Sequence, residues 1–134
     1  MIDIKKLRVR DLMQTRVQTI ERTATLAEAA RWMADNNCSS PIVLPLDDSD
    51  AYGIVTRKDI LNIMVMEVHD EFVSQLGDIM TKPAITVGSA LSLENCLLLM
   101  RSTGTRRLPV VDGDKLVGMI STTDIFKRLV RELG

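Results

Sequence analysis

A hydroxyl three residues ahead of an aspartate occurs twice in this chain within nearly the same phrase, GIVTRKDI at 53–60 and GMISTTDI at 118–125. The pairs are Thr56 with Asp59 and Ser121 with Asp124. Where a strand runs into a helix, such a pair caps the helix: the hydroxyl accepts from the N–H three residues on, and the carboxylate suits the positive end of the dipole. The same geometry can hold a ligand. Free N–H groups at a helix start attract phosphate, the hydroxyl adds a donor, and a carboxylate accepts from the paired hydroxyls of a ribose. The two roles are compatible, so the elements around the pairs decide between capping alone and capping with binding.

Those elements repeat. VRDLMQTRVQTI (9–20) aligns with LGDIMTKPAITV (76–87) at an offset of 78 − 11 = 67, and the closing phrases align at 124 − 59 = 65. The first copy thus carries a net two extra residues, which the acidic connector LPLDDSDAYG accommodates; the second copy has VVDGDKLVG, where Asp112-Gly113 is a two-residue hairpin signal. Periodicity predicts, in each copy, a short strand (17–20; 84–87), a helix (about 25–36; 91–103), a hairpin (about 41–46 with 51–55; 108–112 with 115–120) and a closing helix (about 57–69; 122–133). The fold class is α/β in the mixed α+β sense, β-α-β-β-α twice. The expected segments are 8–69, a linker at 70–75, and 76–134. A unit of some 55 residues has a marginal core alone, so the copies are expected to pack as one pseudo-symmetric body with a ligand cleft between them.

Composition narrows the chemistry. A chain of 134 residues holds about one domain, so no separate catalytic domain is expected within it. Seventeen basic and 18 acidic residues give a net charge of −1, without the electrostatic footprint of a non-specific nucleic-acid binder. Trp32, Tyr52, Phe72 and Phe126 are too few for a row of base-stacking platforms. Cys38 and Cys96 lie far apart, without CxxC spacing or clustered histidines, and are expected to be reduced and buried. The N-terminus shows no secretory h-region and no apolar run approaches the ~20 residues of a membrane span, so a cytoplasmic location is expected.

The ordered set of phrases resembles a tandem pair of CBS domains, the unit called a Bateman module, from about Val9 to Val130. The resemblance rests on DLM and DIM, VQTI and AITV, SPIVL and RRLPVVD, and the two closing phrases, all occurring twice in order. It implies two repeats packed sheet to sheet and a regulatory module that binds AMP, ADP, ATP or S-adenosylmethionine between them. In such modules the aspartate holds the ribose and its hydroxyl neighbour assists with ribose or phosphate, which implies these roles for Asp59 with Thr56 and Asp124 with Ser121. The base slot implied is Ala84, Ile85, Thr86, Leu108, Pro109 and Val110 for one site. For the other it is Val17, Gln18, Thr19, Pro41, Ile42 and Val43. Such modules also commonly pair into a disc of four repeats.

The copies differ in charge. Arg106 and Arg107 precede the second Pro-Val strand, resembling the phrase in the nucleotide-sensing gamma subunit of the AMP-activated kinase where basic side chains meet phosphate; guanidinium forks suit phosphate oxygens. The first copy has the uncharged CSSPIVL there, with Arg57 and Lys58 as its nearby cations, and lacks the usual hydrophobic residue before proline. Unequal sites are expected, the phosphorylated ligand going to Asp124 and the arginine pair.

Other patterns fall short. Asp48, Asp50, Gly53 and Asp59 mimic a calcium loop at positions 1, 3, 6 and 12, but Tyr52 stands at position 5, position 12 is Asp rather than Glu, and the preceding SPIVLPL holds two prolines instead of a helix. His69 has no Ser or Cys partner in a nucleophilic arrangement. No metal site, catalytic residue or catalytic cofactor is expected. The helices in LSLENCLLLM and DILNIMVMEV are apolar around most of their circumference, which predicts a homodimer meeting through them, with Met64, Met66 and Met100 at the contact. The competing function is a ligand-independent protein-interaction module, in which the hydroxyls and aspartates only cap helices.

Overall fold

The structure is a computed structural model that describes residues 3–66 and 74–133. A 3-10 turn, Ile4–Lys6, precedes α1 (Val9–Leu12), β1 (Thr19–Ile20), α2 (Leu26–Asp35), β2 (Ile42–Val43), β3 (Gly53–Ile54) and α3 (Arg57–Met66). The second copy supplies α4 (Leu76–Ile79), α5 (Leu93–Thr103), β4 (Arg107–Asp112), β5 (Lys115–Ser121) and α6 (Thr122–Glu132). The chain divides into two compact units, one built from residues up to 17 with those from 85 onward, the other from 18 to 84.

In the 18–84 unit, β1 pairs parallel with β2 and β2 antiparallel with β3. Leu26, Ala29 and Met33 of α2 close with Val43, Val55, Ile60 and Leu76 into its core. Spacing of three and four residues puts the α2 members on one face. Thr25 and Glu28 start the helix with a reciprocal box, Glu28 N–H to Thr25 Oγ1 at 3.1 Å and Thr25 N–H to Glu28 Oε1 at 3.2 Å.

In the other unit, β4 and β5 form one hairpin, and Leu93, Cys96 and Met100 of α5 join Leu108, Val110, Ile120 and Ile125 in the core. Ser92 caps α5, accepting from the Asn95 N–H at 3.1 Å, and Gly104 ends it at φ 69°. Val9 and Leu12 of α1 are buried in this core, although they belong to the first copy in sequence. Leu76 of α4 reciprocates by lying in the first copy's core. The opening phrase of each copy therefore completes the body that carries the other copy's closing phrase.

Several expectations are corrected. The strand at 84–87 reduces to one parallel bridge, Val87 with Val110, because Val87 alone exchanges bonds there, donating to Pro109 O at 3.0 Å and accepting from Val111 N–H at 2.8 Å. The hairpin loop is Gly113-Asp114, one residue on from the predicted pair: Asp112 still pairs with Lys115, and Gly113 takes φ 61°. The first hairpin is much shorter than predicted, two residues on each side. Met100 is buried in the core and cannot face a partner, because it follows Cys96 by one helical turn. Met64 and Met66 are exposed, with Leu61, Val65, Leu97 and Leu98. His69 and the predicted end of the closing helix lie outside the described residues.

The pairings fix the register of SPIVL. Ile42 faces Ile54 as Pro109 faces Met119, and Val43 faces Gly53 as Val110 faces Gly118. Val43 to Val110 is an offset of 67 and Gly53 to Gly118 an offset of 65, so the two extra residues fall in the connector between β2 and β3. By this register Pro41 matches Leu108, and Ser39-Ser40 match Arg106-Arg107.

Candidate functional site

Both hydroxyl–aspartate pairs sit at the start of a closing helix and cap it. Thr56 Oγ1 accepts from the Asp59 N–H at 3.1 Å, and Ser121 Oγ accepts from the Asp124 N–H at 3.1 Å. The glycine opening each phrase has a steric cause. A Cβ on Gly118 would come within 2.7 Å of the Gln14 carbonyl oxygen and of Met13 Sδ, and one on Gly53 would collide with Met80 Sδ. The methionines of DLM and DIM thus cross directly over the glycines of GMIS and GIVT. Reciprocal backbone bonds fix both crossings: Gln14 with Met119 at 2.8 Å each way, and Thr81 with Ile54 at 3.0 Å each way.

The carboxylates are wired differently. Asp59 Oδ2 accepts from the Thr56 backbone N–H at 2.9 Å and so turns back onto its own cap. Asp124 is held by side chains: Gln14 Nε2 donates to Oδ1 at 2.9 Å and the Ser121 hydroxyl donates to Oδ2 at 2.8 Å. Around Asp124 lies a cavity of about 420 Å³, whose wall includes Gln14, Ser121, Thr122 and Thr123. Arg106, Arg107 and Lys127 supply its positive charge. Four predicted residues, Asp124, Ser121, Arg106 and Arg107, therefore meet in one cavity. Gln14 and Lys127 were not singled out by the sequence reading. The signal for Gln14 was its place directly after DLM, where the aligned residue of the second copy is Thr81.

The expected base-slot residues are placed as follows. Leu108 and Val110 are core residues of the unit holding this cavity, Pro109 is fully buried, and Ile85 and Thr86 are exposed. In the other unit Val43 is core, Pro41 and Ile42 are fully buried, Ala84 is buried, Thr19 is half-buried and Gln18 is exposed. Val17, half-buried, belongs to the unit with α1.

A second cavity of about 650 Å³ lies along α5, against Leu97, Leu98 and Arg101, and shares Arg106 and Thr122 with the polar one. In the 18–84 unit, Ser40 is buried and its hydroxyl has no hydrogen-bond partner among the described residues. Asp50, the third position of the calcium-like pattern, is taken up by cations instead. The Lys82 ammonium and the Leu46 N–H bind its carboxyl and pull its pKa down to about 2, with Arg22 a further partner at 3.4 Å. Cys38 and Cys96 are unpaired and buried, and burial raises the Cys96 pKa.

Comparison with known proteins assigns the architecture. The CBS domain model matches residues 9–66 and again 76–131. The chain belongs to the CBS-domain family. It is 30% identical over 122 residues to an uncharacterised protein of Methanocaldococcus jannaschii, covering 90% of this chain and 42% of that protein. It is likewise 30% identical over 118 residues to the CBS domain-containing protein YhcV of Bacillus subtilis, covering 87% and 81%. The chain thus spans less than half of the first relative and most of the second. Among solved structures, the hexameric CBS-CP12 protein of bloom-forming cyanobacteria superposes with a TM-score of 0.81 at 35% identity, covering 91% of this chain and 71% of that one. The CBS domain pair of protein MJ0100, solved with 5′-methylthioadenosine and S-adenosylmethionine, superposes with a TM-score of 0.78 at 21% identity, covering 94% and 98%. The chain is a tandem CBS pair of regulatory type. Among the described residues no helix is long and apolar enough to cross a membrane.

Proposed function

We propose that this CBS pair is a regulatory module that binds an adenine nucleotide, AMP, ADP or ATP, through the Asp124 cavity. Occupancy is transmitted as a change in conformation or in the pairing of two chains. The observation carrying this reading is the convergence on one cavity of a carboxylate held by side chains, a capping hydroxyl and three cations. The carboxylate and Ser121 take the ribose, and Arg106 and Arg107 take the phosphates, Arg being the side chain that forks onto phosphate oxygens. The MJ0100 pair, solved with two adenosyl compounds, supports the ligand class. The base is assigned to the exposed residues Ile85 and Thr86, and Asp59 with Thr56 marks a weaker second site.

In this reading the chain has no catalytic residue or catalytic cofactor of its own, contains no nucleic-acid or membrane surface, and works in the cytoplasm. Two buried unpaired thiols fit that reducing setting. A ligand moves a conformational equilibrium only by preferring one state, so the nucleotide must bind the signalling geometry more tightly. The exposed apolar side chains of α3 and α5 are assigned to a homodimer contact. The regulated protein is a separate partner.

A thermal-melt screen of AMP, ADP, ATP, S-adenosylmethionine and NAD tests the reading. A ligand binding only the folded state at a hundredfold its Kd adds about 2.7 kcal/mol. A shift with an adenine nucleotide that Asp124→Ala abolishes is expected. No shift with any of them would favour the ligand-independent interaction module.

A further inference from the structure

We propose that Gln14 is a positioning residue that sets the acceptor directions of Asp124 and thereby makes the cavity selective for a ribose bearing both hydroxyls. The proposal rests on the nucleotide reading above and names the residue on which its sugar recognition depends. A carboxylate oxygen has about two lone-pair sites. With Gln14 Nε2 on Oδ1 and the Ser121 hydroxyl on Oδ2, each oxygen keeps one acceptor direction, so two adjacent acceptors are presented together. Two adjacent acceptors are what a vicinal diol needs. A sugar lacking the 2′-hydroxyl would leave one of them without its donor.

The base of the Gln14 side chain is held in place. Its backbone exchanges both bonds with Met119, and it lies against Gly118 so closely that an added Cβ would approach its carbonyl oxygen to 2.7 Å. Only the side-chain torsions remain to vary, and the amide reaches the carboxylate without moving the chain. The other unit provides a built-in control. Thr81 holds the same crossing opposite Ile54 but has no amide to offer, and Asp59 there accepts from the backbone N–H of its own cap. The same hydroxyl–aspartate phrase is therefore turned inward to the cap where the crossing residue is Thr, and held by side chains where it is Gln.

The test is titration calorimetry of the full chain with AMP, ATP and their 2′-deoxy counterparts, comparing wild type with Gln14→Met and Gln14→Glu. Met keeps the length and removes the donor; Glu adds a like charge against Asp124. For Gln14→Met the affinity for the ribonucleotide is expected to fall about tenfold, the scale of one hydrogen bond to a charged group, and that for the deoxy form to change little. The ribo-to-deoxy ratio then collapses toward one while the ligand-free melting temperature is unchanged. Gln14→Glu should lose more, in the same direction. A Gln14→Met protein that keeps the wild-type ratio, or weakens both sugars equally, overturns the positioning role and leaves the nucleotide reading intact. Wild-type protein that binds neither AMP nor ATP overturns both.

Discussion

The two units answer one sequence phrase in two ways. In both, a glycine lies under a crossing methionine, a hydroxyl caps the closing helix, and an aspartate follows three residues on. In the 18–84 unit the aspartate completes its own cap, the register positions before the buried strand hold Ser39 and Ser40, and a long acidic connector is tied down through Asp50. In the other unit the aspartate is held by side chains, those positions are Arg106 and Arg107, and the connector is a two-residue turn at Gly113. In the proposed reading stability and binding draw on the same residues, and a few neighbours decide how much of each results.

Charge is the first place to break that contrast. Replacing Arg106 and Arg107 together by Ala is expected to weaken ATP by about 100-fold or more, since hydrogen bonds to charged groups contribute about 1.5–3 kcal/mol each and both donors are removed. The Arg57→Ala, Lys58→Ala double variant should change it less than threefold by the weak energetics of exposed charges. Titration at two salt concentrations checks this. Equal losses would erase the distinction between the units.

Exposed apolar side chains differ too. Val65 is 74% exposed and Leu97 38%. Val65→Glu on α3 is expected to shift light-scattering mass toward monomer more strongly than Leu97→Glu on α5. A mass unchanged by either would remove the helices from the contact.

Acid unfolding sharpens the connector comparison. The Asp50 carboxyl is depressed to about 2 from an unfolded value near ~3.9, so its contribution is present above the unfolded pKa and is lost as pH falls through the folded one. Asp50→Asn should lower stability at neutral pH, and between pH ~4 and ~2 its deficit relative to wild type should shrink. A deficit constant across that range would mean that Lys82 and Arg22 do not hold Asp50. The smallest effect concerns Ser40, whose buried hydroxyl lacks a partner among the described residues. Ser40→Ala should be neutral or stabilising by up to about 1 kcal/mol in denaturant melts, because it removes an unsatisfied polar group.

Much of this was legible in the residues. The duplicated phrases identify the repeat, the helix positions follow from apolar spacing, and the hydroxyl–aspartate caps are recognisable because capping is local chemistry. What was not legible depended on contacts between segments distant in sequence. That α1 completes the core around the second closing phrase, and α4 the core around the first, is invisible to periodicity. Gln14 and Asp124 lie 110 residues apart, so no local pattern joins them. The offset of SPIVL came from the displaced proline, which only the pairing of Ile42 with Ile54 resolves. Met100 belonged to an apolar run whose buried side is fixed by packing, which the run's composition leaves open.

In the proposed reading Asp124 binds the ligand while Asp59 mainly caps its helix. Calorimetric titration of AMP and ATP into wild type, Asp124→Ala and Asp59→Ala tests it most directly. A high-affinity site is expected that Asp124→Ala abolishes and Asp59→Ala retains, the latter losing about 1 kcal/mol of stability from the weakened cap. Binding that survives Asp124→Ala and disappears in Asp59→Ala would contradict it.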